Sequence, residues 1–214
     1  LMSTQATTNT GTADTREKIL DAAELLFVEH GFAATSLRAI AAKADVNLAA
    51  THYHFGSKKG LLAAVFHRRI QPVNTLRLEG LEKLETSGVP MTARSILEAF
   101  FLPFKSADII STIPGLVGRL HGEPESISKP ILEEEFTEVT ERFQEALAMV
   151  LPQVDRAELR WRFHFMIGSM IQILRIQSPL GIGSTQESFN RGMERLVDFC
   201  IAGLEQADLG KQHD

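Results

Sequence analysis

Apolar side chains recur every three or four residues along almost the whole chain, and no stretch alternates with the two-residue period of a strand between hairpin turns. The pattern predicts helix after helix. The first opens at Asp14, with Glu17 three residues on in capping-box spacing, and carries Ile19, Ala23, Leu26 and Phe27 on one face until Gly31 stops it. A second runs from about Ser36 to Ala44, capped by Thr35 or Ser36, with Leu37, Ile40 and Ala44 facing inward. Asp45-Val46 makes a short turn, and Asn47 caps a third helix of about one and a half turns that ends at Phe55-Gly56. Ser57 caps a fourth carrying Leu61, Leu62, Val65 and Phe66; Pro72 should kink or end it, which places a domain border there.

Beyond Pro72 the breakers are sparser. Gly88-Val89-Pro90 precedes a helix capped by Thr92, with Ile96, Leu97, Phe100 and Phe101, broken by Pro103. Residues 106–124 read ambiguously, interrupted by Pro114-Gly115 and closed by Gly122-Glu123-Pro124. A long helix follows from about Ser128, with Pro130 in its first turn and Leu132, Phe136, Val139, Phe143, Leu147 and Val150 in register. The last two predicted helices, 155–176 and 185–206, are apolar over much of their circumference, and Gly168 and Ser169 would admit a close neighbour. Such helices need cover on more than one side, and a subunit interface supplies it.

The fold class is therefore all-α, with a disordered tail (1–13), a three-helix domain arranged helix-turn-helix (14–70) and a larger helical domain (71–214) expected. Composition changes little: 44% apolar and 23% charged residues are ordinary for a globular chain, and the net charge of −5 speaks against indiscriminate nucleic-acid coating. The charge is unevenly spread, since residues 1–70 hold eight basic and six acidic side chains, +2 against −7 for the remainder. A single cysteine, Cys200, excludes a disulfide framework and fits a reducing cytoplasm, and no apolar run reaches membrane-spanning length. No Gly-x-Ser-x-Gly, His-Glu-x-x-His or phosphate-cradling glycine loop suggests an enzyme or a cofactor. His52, His54 and His67 lack a carboxylate or thiol at a ligand spacing, so no metal is expected.

Candidate chemistry concentrates in residues 35–59. Ala39, Ala41, Ala42 and Ala44 let one short helix cross closely over the next, and Ile40, Val46 and Phe55 hold the pair onto its neighbours. Leu48, Ala49, Thr51, His52 and Tyr53 are left to face outward on the recognition helix, with Asn47 and Ala50 as further candidate DNA contacts: Thr51 and His52 for polar base edges, Leu48, Ala49 and Ala50 for a thymine methyl. Lys58 and Lys59 at the start of the fourth helix, with Thr35 and Ser36 opposite, are candidate phosphate contacts. Arg68 and Arg69 read as a solvated face.

The run Thr35-Ser-Leu-Arg-Ala-Ile-Ala, then Val46-Asn-Leu-Ala-Ala-Thr-His-Tyr-His-Phe-Gly-Ser-Lys-Lys-Gly-Leu-Leu62, resembles the N-terminal signature of the TetR family of bacterial regulators. Ile19 to Phe27 and Gly31-Phe32 agree in order and spacing, so the resemblance spans roughly residues 14–66. It implies Tyr53 and Lys58 as phosphate contacts and Arg38 with residues 48–52 as base readers. His52 stands where the family usually has Tyr, and Ala50 where it often has Thr, which leaves the operator sequence open. The Asn-Leu-Ala-Ala form also resembles a subgroup answering to long-chain fatty acyl ligands.

In the second domain, Phe100, Phe101, Phe104, Phe136 and Phe143, with Ile113, Leu116, Val117 and Leu120, are candidate walls for a small apolar or amphipathic effector, though the same spacing suits plain core. Arg119 and His121 are candidate anchors for an effector carboxylate or phosphate, or else partners of Glu123 or Glu125. The expected whole is a homodimer paired through its last two helices, a repressor on a palindromic DNA operator. The alternative is a DNA-binding regulator or architectural protein with no small-molecule ligand.

Overall fold

Local capping fixes several helix starts in the structure, a computed structural model describing residues 7–105, 113, 116, 117, 120, 122–175 and 186–206. Helix α1 spans Thr7–Ala34 and breaks at Gly31, whose φ of 80° and ψ of 169° lie outside the helical region. Ser36 caps α2 (Leu37–Lys43) by accepting from the Ala39 amide. Asp45 turns the chain with a left-handed φ of 54°, and Asn47 caps α3 (Leu48–Phe55), its Oδ1 2.8 Å from the Ala50 nitrogen. Helix α4 spans Lys58–Thr86. Thr92 and Ser95 form a reciprocal capping box at the start of α5 (Ala93–Phe101), which continues into a 3-10 turn at Leu102–Lys105. Helices α6 (Glu125–Val150), α7 (Arg156–Arg175) and α8 (Gln186–Glu205) complete the described elements, none of which is a strand.

Three expectations about these boundaries need correction. The first helix starts at Thr7, so residues 7–13, expected as tail, are helical. Asp14 consequently forms no capping box: it lies inside α1 and pairs with Lys18 one turn on, at 2.6 Å. Helix α4 passes through Pro72. Pro72 is exposed, while Ile70, Val73 and Leu81 on the other side are buried, and that packing offsets the roughly 3 kcal/mol an interior proline costs. Helix α6 opens at Glu125, three residues before the position expected.

Contacts divide the chain into two units, and the division is not the simple cut at residue 70. Unit 1 is Leu1–Ile70 together with Arg119–Ile131; unit 2 is Gln71–Gly118 with Leu132–Asp214. The core of unit 1 joins Ile19, Leu20, Ala23 and Phe27 of α1 to Ile40, Ala41 and Ala44 of α2 and to Leu61, Leu62, Val65 and Phe66 of α4. Ala41 and Ala44 provide the close crossing, whereas Ala39 and Ala42 face outward. Arg68 and Arg69, read as a solvated face, instead tie α4 to α1. Arg68 reaches Glu17, Asp21 and Glu24, Arg69 reaches Glu24, and among the described residues the Arg68 Nε has no acceptor.

Unit 2 is held by an aromatic cluster. The Phe100 ring meets Phe143 edge-on at 5.0 Å and Phe163 at 5.6 Å, joining α5, α6 and α7. Gly80 lets α4 approach α5 closely, since a Cβ there would sit 3.4 Å from that of Ala99. Arg162 of α7 donates to the carbonyls of Leu204 and Gln206 at the end of α8, and Arg94 of α5 pairs with Asp198 of α8 at 2.7 Å. Among the described residues, no helix is long and apolar enough to cross a membrane.

Candidate nucleic-acid interface and effector cavity

Helix α3 presents one clean face. Leu48, Ala49, His52 and Tyr53 follow the spacing of adjacent turns and are all exposed, Tyr53 at 81%. Asn47 is exposed at the helix start with its side chain spent on the cap, and Ala50 is half-buried at the edge of the face. The His52 Nδ1 lies 3.2 Å from the Gly56 carbonyl, a contact that needs a proton on Nδ1 and leaves Nε2 pointing away as the other ring nitrogen. Arg38 and Ser36 are exposed on α2, Ser36 as its cap. These are the sequence-predicted readers that the fold leaves available.

Four predicted contacts are engaged within unit 1, Thr51 and Thr35 buried, Lys58 half-buried and Lys59 from an exposed position. Thr51 has no exposed surface and donates its hydroxyl to the Leu48 carbonyl at 2.7 Å, because position 51 falls on the core side of α3. Thr35 is 3% exposed and donates to the carbonyls of Gly31 at 2.8 Å and Leu26 at 3.1 Å, closing the end of α1. The Lys58 ammonium donates to Phe32 and Thr35 carbonyls, both at 2.8 Å, and sits 4.2 Å over the Phe32 ring. Lys59 donates to the Ser126 carbonyl at 2.8 Å. All four are internal fastenings of unit 1. A further fastening had no sequence signal: Glu123 accepts from the Phe32 amide at 3.1 Å across 91 positions. Among the described residues, no three His, Cys, Asp or Glu side chains gather as a metal set.

In unit 2 a cavity of about 580 Å³ lies between α5 and α8. Phe101, Phe104, Met193 and Val197 give it apolar walls, and Arg94, Glu98, Asn190, Glu194 and Asp198 form its polar part. Arg94 pairs with Asp198 at 2.7 Å and approaches Glu98 at 3.8 Å. Of the predicted walls, Phe101 and Phe104 line this cavity. Phe100 and Phe143 are core instead, interlocked edge to face. Ile113, Leu116, Val117 and Leu120 are buried outside its lining, Phe136 is half-buried, and Arg119 and His121 lie outside the described residues.

Sequence reasoning passed over Arg77, which is 2% exposed at the heart of unit 2, where burial pushes its pKa down to about 9. A signal existed: position 77 falls in the inward register Ile70, Val73, Leu81. Another feature of unit 2 faces solvent. Trp161 and Phe165 stack on the outer side of α7 with centroids 6.0 Å apart, Phe199 is exposed on α8, and a Cβ at Gly168 would meet open space.

Comparison with known proteins agrees with this layout. Residues 19–65 match the profile of the bacterial regulatory proteins of the tetR family, and residues 99–203 match the tetracyclin repressor-like C-terminal domain. Over 48 residues the chain is 48% identical to the probable HTH-type transcriptional regulator YttP of Bacillus subtilis, covering 22% of this chain and 23% of that protein. Over 56 residues it is 48% identical to an HTH-type transcriptional repressor of Mycobacterium tuberculosis, covering 26% of this chain and 30% of the relative. The matches thus span less than a third of either relative's length. SmeT of Stenotrophomonas maltophilia, the repressor of the multidrug efflux pump SmeDEF, shares the fold with a TM-score of 0.64 at 24% identity, over 92% of this chain and 94% of that one. With both the reading head and its companion domain matched, the chain belongs to the TetR family of bacterial transcriptional regulators.

Proposed function

We propose that this regulator is a homodimeric repressor that docks α3 of each copy in the major groove of a palindromic operator and lets go when an apolar or amphipathic effector occupies unit 2. The observation that carries the reading is the split character of α3. Thr51 anchors its inner side, and Leu48, Ala49, His52 and Tyr53 stand free on the outer one. A helix so mounted has base-reading side chains on a rigid support. Arg38 and Ser36 at the neighbouring helix are the flanking contacts, and Tyr53 the phosphate contact. The M. tuberculosis relative, named a repressor, supports the sign of the effect.

Dimerisation follows from the exposed rings of Trp161, Phe165 and Phe199 on the last two helices, where open space over Gly168 admits a second copy. Two such heads would address half-sites roughly 34–36 Å apart, or a multiple of that spacing. The cavity with Phe101 and Phe104 is the effector's place, and SmeT, of like fold, forms a complex with triclosan. The working compartment is the cytoplasm, where the DNA is.

The test has two parts. Selection from a randomised duplex pool, followed by footprinting, should return a twofold-symmetric site, and sedimentation at micromolar concentration should show a dimer. An asymmetric footprint or a monomer overturns the reading.

A further inference from the structure

A neutral imidazole carries its proton on either nitrogen, and a neighbour that only accepts removes the choice. Gly56 is that neighbour for His52. Its carbonyl lies 3.2 Å from the His52 Nδ1, so Nδ1 holds the proton and the neutral ring keeps a lone pair at Nε2. The two residues are joined twice, because the Gly56 amide also donates to the His52 carbonyl at 2.9 Å. Gly56 takes a φ of 69° where α3 ends, a conformation that glycine adopts without strain. The turn that closes the helix thus sets the tautomer of a side chain on its outer face. His52 is exposed, and among the described residues its Nε2 meets no donor.

The rest of the face does not offer the same atom. Leu48, Ala49 and Ala50 have no polar side-chain atoms, Thr51 donates to the Leu48 carbonyl, and the Asn47 Oδ1 accepts from the Ala50 amide. Arg38 on α2 can only donate, and the Tyr53 hydroxyl donates or accepts as its partner requires. The fixed ring of His52 does not adapt in that way: while neutral, it accepts only. In the major groove, N–H donors are presented by adenine N6 and cytosine N4, whereas guanine O6 and N7 and thymine O4 are acceptors.

We propose that His52 is a specificity-determining residue whose Nε2 lone pair selects an exocyclic amino group, on adenine or cytosine, at a position in each half-site. The assignment rests on the reading of α3 as the helix that enters the major groove, and narrows that face to one class of base. Guanine or thymine there would set O6 or O4 against the lone pair, two acceptors with no proton between them. Gly56 is the positioning residue: its carbonyl keeps the proton on Nδ1.

The experiment uses the full chain and a randomised duplex pool. Selection with the wild type and with His52→Phe, which keeps a flat ring and loses both nitrogens, locates the position that depends on residue 52. The wild type should select adenine or cytosine there, and His52→Phe should lose that preference. His52→Arg, which can only donate, should move it to guanine. Anisotropy titrations then replace the selected adenine by unsubstituted purine, or the selected cytosine by 2-pyrimidinone, each lacking the amino group. The wild type should lose about threefold to tenfold in affinity and His52→Phe nothing beyond the shared cost of the weakened base pair, which the double-mutant cycle cancels. The arm that shows the loss tells adenine from cytosine. Guanine or thymine at the dependent position, or equal losses in wild type and His52→Phe, overturns the assignment. So does a His52→Phe that weakens every sequence alike, the mark of a backbone contact. If His52→Phe changes no position while Leu48→Ala does, the His52 assignment falls and α3 remains the reader. If no substitution on α3 alters the preference, both fall.

Discussion

Lys58 holds Phe32 twice: its ammonium donates to the Phe32 carbonyl at 2.8 Å and lies 4.2 Å over the ring of the same residue. With the Thr35 carbonyl also at 2.8 Å, the side chain closes the frayed end of α1 after Gly31 breaks it. A side chain that resembles a phosphate contact in sequence is thus a structural clasp. Lys58→Met should therefore cost about 1–3 kcal/mol of stability, as carbonyls lose a charged donor. Operator affinity should fall through the weakened head while the slope of log affinity against log salt stays as in the wild type. A phosphate contact behaves in the opposite way: the slope drops by about one and stability holds. Anisotropy titrations at several salt concentrations, with urea melts beside them, separate the two.

Thr51 makes the complementary case. With no exposed surface and its hydroxyl on Leu48 at 2.7 Å, it is out of reach of a base edge. Thr51→Val keeps the shape and loses one internal hydrogen bond, worth about 1 kcal/mol. The base preference recovered from a randomised pool should not change, whereas His52→Ala should change it. A shifted preference in Thr51→Val would return that side chain to the reading face.

These two residues mark where the sequence could be read and where it could not. Caps are local: Ser36, Asn47 and the Thr92–Ser95 pair each act on an amide three residues away or less, so residue type and order identify them. The head motif is legible for the same reason, being three short helices with their punctuation. Helix α3 has only eight residues, and two turns of periodicity do not set its rotational phase, which is why Thr51 was expected on the wrong side. Lys58 and Glu123 act over 26 and 91 positions, where no spacing rule applies. Pro72 looked like an end because its local cost is plain while the packing that outweighs it is distant in sequence. Arg77 was visible as a charge in an apolar register, a pattern that weighs charge placement as well as count.

Glu24 should be the most sensitive acid in unit 1. It is 8% exposed and accepts from Arg68 at 2.6 Å and from Arg69 at 2.9 Å, fastening α4 to α1. Glu24→Gln leaves two cations without their shared carboxylate, and breaking a fully buried pair typically costs roughly 3–5 kcal/mol. Arg69 is 40% exposed, which lowers the expected loss to about 1–3 kcal/mol. Urea unfolding of wild type and variant measures it. A loss below about 0.5 kcal/mol would mean the cluster is surface decoration.

Cys200 gives the pH prediction. Burial raises its thiol pKa from the ordinary 9.0 to about 11, so the folded protein keeps a proton that the unfolded chain releases. The stability this contributes is fully present below pH 9 and is lost as pH rises toward 11. Native protein at pH 8 should react with iodoacetamide on the order of a hundredfold more slowly than the chain in urea. Equal rates would show that residue 200 is not shielded.

The outer aromatic stripe predicts the assembly most directly. Phe199 is 71% exposed, Phe165 62% and Trp161 61%, on two helices that pack on each other within unit 2. Full burial of one such side chain is worth about 1.5–3 kcal/mol, and a twofold interface counts each ring twice. Phe199→Glu and Trp161→Glu should therefore each raise the dimer dissociation constant by at least about a hundredfold, since the new carboxylate also meets its own symmetry mate or loses its water. Sedimentation at micromolar concentration should then show monomers whose melting resembles that of the wild-type subunit. Operator binding should weaken and become steeply dependent on protein concentration, because the two heads must now be brought together on the DNA. If both variants still sediment as dimers, these rings are not the seam, and another face of the molecule sets the spacing of the recognition helices.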